Sequence, residues 1–145
     1  MQLDKFTDYA LRILVALAVY APKRLSTSAI SQIYDLSEHH LSKVASELVR
    51  AKFVVSERGR GGGLTLARPA AQINIGDVVR CLKRDDPVVE CFGVNKSCRI
   101  LPACGLRSPL KEAQEAFFAA LDRYTLEGVS RSKVALAALL KLEPL

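Results

Sequence analysis

Between Phe53 and Ala67 the chain reads FVVSERGRGGGLTLA, and this stretch limits the possible folds more than any other. Phe53, Val54 and Val55 are strand formers, and Leu64, Thr65 and Leu66 resume the alternation. The RGRGGG run between them continues no regular element. Residues 53–67 are therefore expected to form a β-hairpin whose glycine-rich tip carries Arg58 and Arg60. Up to Lys52 the period is helical instead. Phe6, Ala10, Ile13, Leu14 and Leu17 mark an amphipathic helix over residues 7–20 that Pro22 keeps from running on. Ser26 caps a short second helix, lined by Ala29, Ile30 and Ile33 and reaching about Tyr34. After the turn DLS, Ser37 caps a third helix with Leu41, Val44, Ala45 and Leu48 as its buried stripe. Three helices, with a tight turn before the last, followed by a basic-tipped hairpin give the order of a winged helix-turn-helix.

In such a module the helix after the turn enters the major groove, and the wing lies along the backbone or a minor groove. The third helix carries Glu38, His39, His40, Ser42, Lys43 and Ser46 at its start and on its exposed faces. With Arg58 and Arg60 these are the candidate contacts to double-stranded DNA. A solvated helix face and an ordinary turn would explain each feature alone; their order argues for DNA. The net charge of +6 suits an anionic partner, although acids are mixed in throughout. A phosphate-binding P-loop is a poor rival, because GRGGG lacks the lysine and the serine or threonine such a loop needs.

Ile75, Val78, Val79 and Leu82 define a fourth helix, with Asp77 near its positive end. Ser108 and Pro109 read as the cap and first position of a long fifth helix. Its stripe is Leu110, Ala113, Phe117, Leu121 and Tyr124, widened by Phe118 and Ala120. That stripe either packs on its own domain or pairs two copies; a homodimer is favoured, since it doubles the DNA contacts. SKVALAALLKL makes one more amphipathic helix. The expected fold is mainly α with a small β-hairpin: a DNA-binding winged helix-turn-helix over 1–84, a cysteine loop over 85–107, and a dimerisation helix with a C-terminal helix over 108–145.

The loop CFGVNKSCRILPAC gathers Cys91, Cys98 and Cys104, leaving only Cys81 elsewhere. A 145-residue chain that is 50% apolar buries a core without a disulfide framework. No secretory signal is evident, and the apolar run Ile13–Ala21 is too short to span a bilayer. A cytoplasmic, reducing compartment with no membrane partner is expected, where clustered cysteines bind metal or do redox work more often than they form bridges. Gly93, Asn95, Pro102 and Gly105 keep the backbone irregular enough to wrap a centre. Zinc knuckles pair cysteines two to four residues apart, and no such pair exists here. Wider arcs suit an iron-sulfur cluster better, ahead of zinc, with unligated thiols last. A catalytic thiol is weaker still, with no histidine nearby in sequence, and the chain is not expected to be an enzyme. An iron-sulfur redox carrier would explain the thiols but not the winged helix.

Taken together, FTDYALR at 6–12, LSEHHLSKV at 36–44, ERGRGGGLTLARP at 57–69, INIGDVVR at 73–80, the three cysteines and LDRYTLEGV at 121–129 resemble the IscR and NsrR family of iron-sulfur winged-helix transcriptional regulators. The match covers nearly the whole chain. CRILPAC looks like the loop of the NsrR branch, the nitric-oxide-sensing repressors. Arg107 stands where IscR-type proteins supply a histidine ligand three residues after the last cysteine. The resemblance implies Cys91, Cys98 and Cys104 as ligands of an iron-sulfur cluster, a 4Fe-4S centre before a 2Fe-2S one. Asp8 of the partner subunit is the implied fourth ligand, although an acid in a first helical turn is also stabilised by the dipole alone. Cys81 matches no ligand position and is assigned to packing. The implied function is a dimeric repressor on a palindromic operator, released by nitric oxide. A general iron-sulfur or redox-responsive regulator, and a zinc or thiol winged-helix regulator without a cluster, are the alternatives.

Overall fold

Asp4 opens the first helix, accepting the backbone N–H of Thr7 at 3.3 Å, and α1 runs from Lys5 to Tyr20. The computed structural model describes residues 3–94 and 96–141, so Asn95 and Leu142 lie outside the described residues. Ala10, Ile13, Leu14 and Leu17 of α1 are buried as their spacing predicts. Phe6 departs from that stripe and is 36% exposed, because Thr7 takes the inward position of the first turn.

Ser26 Oγ accepts the N–H of Ala29 at 3.0 Å and starts α2, Thr27–Tyr34. The helix stops at Asp35, which turns left-handed at φ 52°, and Leu36 N–H closes back on the carbonyl of Ser31 at 3.0 Å. Ser37 then caps α3, Glu38–Arg50, by accepting from His40 N–H at 3.4 Å. Leu41, Val44, Ala45 and Leu48 form its buried face, and α3 packs against both α1 and α2. Lys52 at φ 64° ends α3, donating to Val49 O at 3.0 Å while Phe53 N–H reaches Leu48 O at 3.0 Å. This is the left-handed stop that glycine commonly provides.

The chain then reverses into β1, Val54–Glu57, paired antiparallel with β2, Gly63–Leu66, in the register Val54 with Leu66 and Glu57 with Gly63. Val54 and Leu64 point into the core. Leu25, between α1 and α2, bridges to Leu64 through bonds of 3.1 and 2.8 Å. The fold is the winged helix-turn-helix that the sequence predicts, mainly α with one hairpin.

Two compact units divide the chain. One runs to Ile73 and resumes at Thr125; the other is Asn74–Tyr124. In the first, Thr125 caps the one-turn helix Leu126–Val129 by accepting Gly128 N–H at 3.0 Å. Leu126 is fully buried and its N–H bonds Ile73 O at 2.8 Å. The helix Lys133–Leu139 follows. The second unit holds α4, Ile75–Leu82, capped by Asn74 through Asp77 N–H at 3.1 Å, then the short turns Glu90–Phe92 and Leu101–Ala103, and α5, Arg107–Leu121.

Two expectations about α5 are corrected. Ser108 and Pro109 are not cap and first helical position: the backbone is already helical at Leu106, and α5 starts at Arg107 with no side-chain cap, which puts Pro109 third in the helix. Pro109 costs nothing there, since the first N–H groups of a helix have no partner to lose. At the other end Asp122 terminates α5, so Tyr124 lies beyond the helix, its carbonyl accepting Ile75 N–H at 3.0 Å. Among the described residues no helix is long and apolar enough to cross a membrane.

Candidate functional site

The winged unit presents two polar surfaces. On α3, Glu38, His39, His40, Ser42, Lys43 and Ser46 are exposed, opposite the buried stripe. The His39 and His40 rings lie 6.3 Å apart. Ser46 Oγ donates to Ser42 O at 2.9 Å, so its hydrogen is committed to the helix backbone and only its lone pairs face out. At the wing tip Arg58 and Arg60 are exposed on a loop in which Gly59 and Gly61 take φ of +92° and +74°, a region side chains rarely enter.

Two further arginines shape this surface, and sequence reasoning missed both. Arg24 donates from Nη1 to Gly61 O at 3.0 Å and pairs through Nη2 with Glu57 at 2.7 Å. Arg68 donates to Lys52 O at 2.9 Å and Gln72 O at 3.2 Å, with its guanidinium 5.0 Å from the Phe53 ring centre. Arg24 meets Gly61 across 37 residues and Arg68 meets Lys52 across 16, contacts that leave no local signal in the sequence.

In the first turn of α1, Asp8 pairs with Arg12 at 2.8 Å, and Arg12 lies 5.7 Å from the Tyr9 ring and 5.9 Å from the Tyr34 ring. Tyr34 hydroxyl donates to Arg12 O at 3.0 Å. Burial pushes the Tyr34 phenol above its ordinary pKa, and the nearby Arg12 cation partly opposes that. Through this group Asp8 is tied to the end of α2, where the turn into α3 begins.

In the second unit Cys91 lies in the turn Glu90–Phe92, Cys98 is exposed, and Cys104 directly follows the turn Leu101–Ala103. All are free thiols, as is the half-buried Cys81 of α4. Among the described residues no three His, Cys, Asp or Glu side chains converge on a metal-holding arrangement. The three thiols thus share one loop without forming a ready cage. What fits an iron-sulfur cluster is the donor chemistry: three soft ligands on two short turns and the irregular backbone between them. A cavity of about 590 Å³ adjoins Cys104, lined by Phe92, Leu101, Pro102, Arg107 and Lys111. Arg107 offers no lone pair to a metal, so the position resembling an IscR ligand contributes none.

The same unit holds α4 to the end of α5. Arg80 clasps Asp122 with two bonds of 3.1 and 2.9 Å and lies 4.9 Å from the Phe118 ring, while Asn74 Nδ2 donates to Asp122 O at 2.7 Å. Along α5 none of the described residues is fully buried: Leu110, Phe117 and Leu121 are half-buried, Ala113 is exposed, and Tyr124 beyond it is 49% exposed.

The comparisons with known proteins agree with this architecture. Residues 3–132 match the family model Rrf2, described as an iron-dependent transcriptional regulator. The HTH-type transcriptional regulator NsrR of Bacillus subtilis is 43% identical over 145 residues, covering 99% of both chains. That of Oceanobacillus iheyensis is 42% identical over 146 residues, again covering 99% of both. Among solved structures, CymR, the global cysteine regulator of B. subtilis, is 28% identical with a TM-score of 0.66, covering 91% of this chain and 98% of its own. IscR of T. potens is 25% identical with a TM-score of 0.70, covering 93% of this chain and 88% of its own. With a winged helix-turn-helix, matching relatives and a family model that spans most of its length, the chain belongs to the Rrf2 family and is a DNA-binding transcriptional regulator, not an enzyme.

Proposed function

We propose that this regulator is a homodimeric repressor that senses nitric oxide through an iron-sulfur cluster, a 4Fe-4S centre before a 2Fe-2S one. The observation that carries the reading is the loop itself: three free thiols, Cys91, Cys98 and Cys104, within the segment 85–107 that leads into α5. The family description and the names of the relatives support it. Cys91, Cys98 and Cys104 would hold the cluster as thiolates, with Asp8 of the partner subunit as the fourth ligand. When bound, such a cluster supplies iron that nitric oxide attacks directly.

The chain's own residues do the rest. Leu110, Ala113, Phe117, Leu121 and Tyr124 bring two copies together, so that two α3 helices read a palindromic operator. Glu38, His39, His40, Ser42 and Lys43 meet base edges and phosphates, while Arg58 and Arg60 meet the backbone. Asp8 sits in the first turn of α1, whose buried face packs on α3, so a change at its carboxylate is felt by the reading helix. Arg12 provides the partner for an Asp8 carboxylate that is not engaged elsewhere. Exchange at Asp8 alters DNA affinity to the extent that the loop and α1 make different contacts in the two states.

The test is the visible spectrum of anaerobically purified protein, followed by titration with nitric oxide while duplex binding is monitored. A brown spectrum that bleaches as DNA is released is expected. Cys98→Ala should abolish the absorbance and leave a folded protein. A colourless wild type that still binds DNA would instead place the protein among regulators that work without a cluster.

A further inference from the structure

Little packing holds the crest of the wing, although at Gly62 a Cβ would come within 2.8 Å of Gly59 O. Residues 58–62 join β1 to β2 and three of them are glycine; a Cβ at Gly59 or Gly61 would meet nothing within 4 Å. One internal bond closes the tip, Gly62 N–H to Gly59 O at 3.0 Å. The other tie comes from Arg24 in the connection between α1 and α2. Its Nη1 donates to Gly61 O at 3.0 Å and its Nη2 pairs with Glu57 at 2.7 Å, so one planar group holds the end of β1 and the crest of the loop together. The next residue, Leu25, bonds Leu64 in both directions, and at Gly63 a Cβ would come within 2.9 Å of Leu25 O and 3.3 Å of Arg24 Cβ. The missing side chain at Gly63 lets the connection lie flat against the wing.

We propose that Arg24 is a positioning residue for DNA recognition: by holding Glu57 and Gly61 it fixes the glycine tip so that Arg58 and Arg60 reach the duplex together. The proposal rests on the reading of the wing as a DNA contact. Without the brace, the tip samples many backbone states, and the cost of ordering it falls on binding. A rival role exists, since the Arg24 side chain is 42% exposed and a guanidinium pairs readily with a phosphate. Glu57 separates the two. Removing its negative charge strengthens DNA binding if only charge matters and weakens it if the brace matters.

The experiment measures the affinity and salt dependence of the anaerobically purified full-length protein on a duplex selected by the wild type from random sequence. The variants are Arg24→Ala, Arg24→Lys, Glu57→Gln, the pair Arg58→Ala with Arg60→Ala, and that pair combined with Arg24→Ala. The pair should weaken binding by about tenfold or more and lower the salt slope by roughly three to four, two contacts being lost from each protomer of the dimer. Arg24→Ala should weaken it roughly threefold to tenfold, Glu57→Gln should weaken it despite the lost acid, and Arg24→Lys should recover part of the loss. Added to the pair, Arg24→Ala should change nothing further, because the brace then has nothing to place. Tighter binding by Glu57→Gln with a fully additive Arg24→Ala would make Arg24 a phosphate contact and overturn the proposal. So would unchanged affinity of a folded Arg24→Ala. Should Arg24→Ala not fold, Glu57→Gln decides alone by the sign of its effect. Unchanged affinity in the pair would instead remove the wing reading itself, independently of Arg24.

Discussion

Asp122 shows how one residue can hold an element end without being buried. Its carboxylate takes both prongs of Arg80, its carbonyl accepts Asn74 Nδ2, and its side chain occupies the space beside Gly76, where a Cβ would lie 1.9 Å from Oδ1. Only glycine leaves α4 room for this approach. The hydrogen bond from Arg80 holds the Asp122 carboxyl below its ordinary value of 3.8. A depressed folded-state pKa stabilises the fold above the unfolded value and is lost as pH falls through the folded one. Asp122→Asn is therefore expected to lower the melting temperature at neutral pH. The gap to the wild type should close in acid, below 3.8. Thermal unfolding followed across that range checks it, and a gap independent of pH would show that the ion pair contributes nothing to folding. Both side chains are about two-fifths exposed, so the effect at neutral pH should be small and should shrink with added salt.

Among the elements, α3 combines a well-formed start with a costly stop. Ser37 supplies an N-cap, and Lys52 takes the left-handed position that glycine usually fills. Lys52→Gly should relieve that conformation and raise stability by about 0.5–1 kcal/mol, the gain reduced by the extra freedom of glycine in the unfolded chain. Chemical denaturation with an unchanged m-value checks it; a loss of stability would mean that the Lys52 side chain makes interactions worth more than the strain. Local signals of this kind were legible. Ser26 and Ser37 announced their helices, the apolar spacing placed α1 and α3, and the alternation around the glycine run placed the hairpin. What was not legible depends on partners distant in the chain. Arg24 and Arg68 bond backbone carbonyls that no periodicity points to, and α5 begins at Arg107 because the preceding turn delivers helical backbone to Leu106. The helix Leu126–Val129 is a single turn, too short for a periodic pattern, although Thr125 is a cap residue in plain view. The three cysteines were legible as a set; the folded chain keeps them on one loop without drawing them together, which spacing alone could not reveal.

For the whole molecule the decisive feature is a 15-residue helix with no fully buried residue, although it carries Leu110, Phe117, Phe118 and Leu121. Phe117 and Phe118 meet edge to face at 5.6 Å and Arg80 lies 4.9 Å from the Phe118 ring, yet both side chains stay partly exposed. An amphipathic helix gains most of its stability from burying its apolar face, so a second copy is the partner this stripe suits. The wild type should then sediment at twice 15.9 kDa, and Phe117→Glu with Leu121→Glu should sediment at 15.9 kDa. A wild type at the single mass would end the dimer reading. The separation into two units sharpens the prediction, because α5 and the winged unit belong to different ones. The doubly charged variant should keep the helical signal and cooperative melting of the winged unit while losing operator affinity. If each half-site is read by its own α3 and wing, as proposed, a monomer should show about half the wild-type salt slope on the same duplex. An unchanged slope with a halved mass would mean that one winged unit makes all the phosphate contacts, and that pairing serves something other than DNA reading.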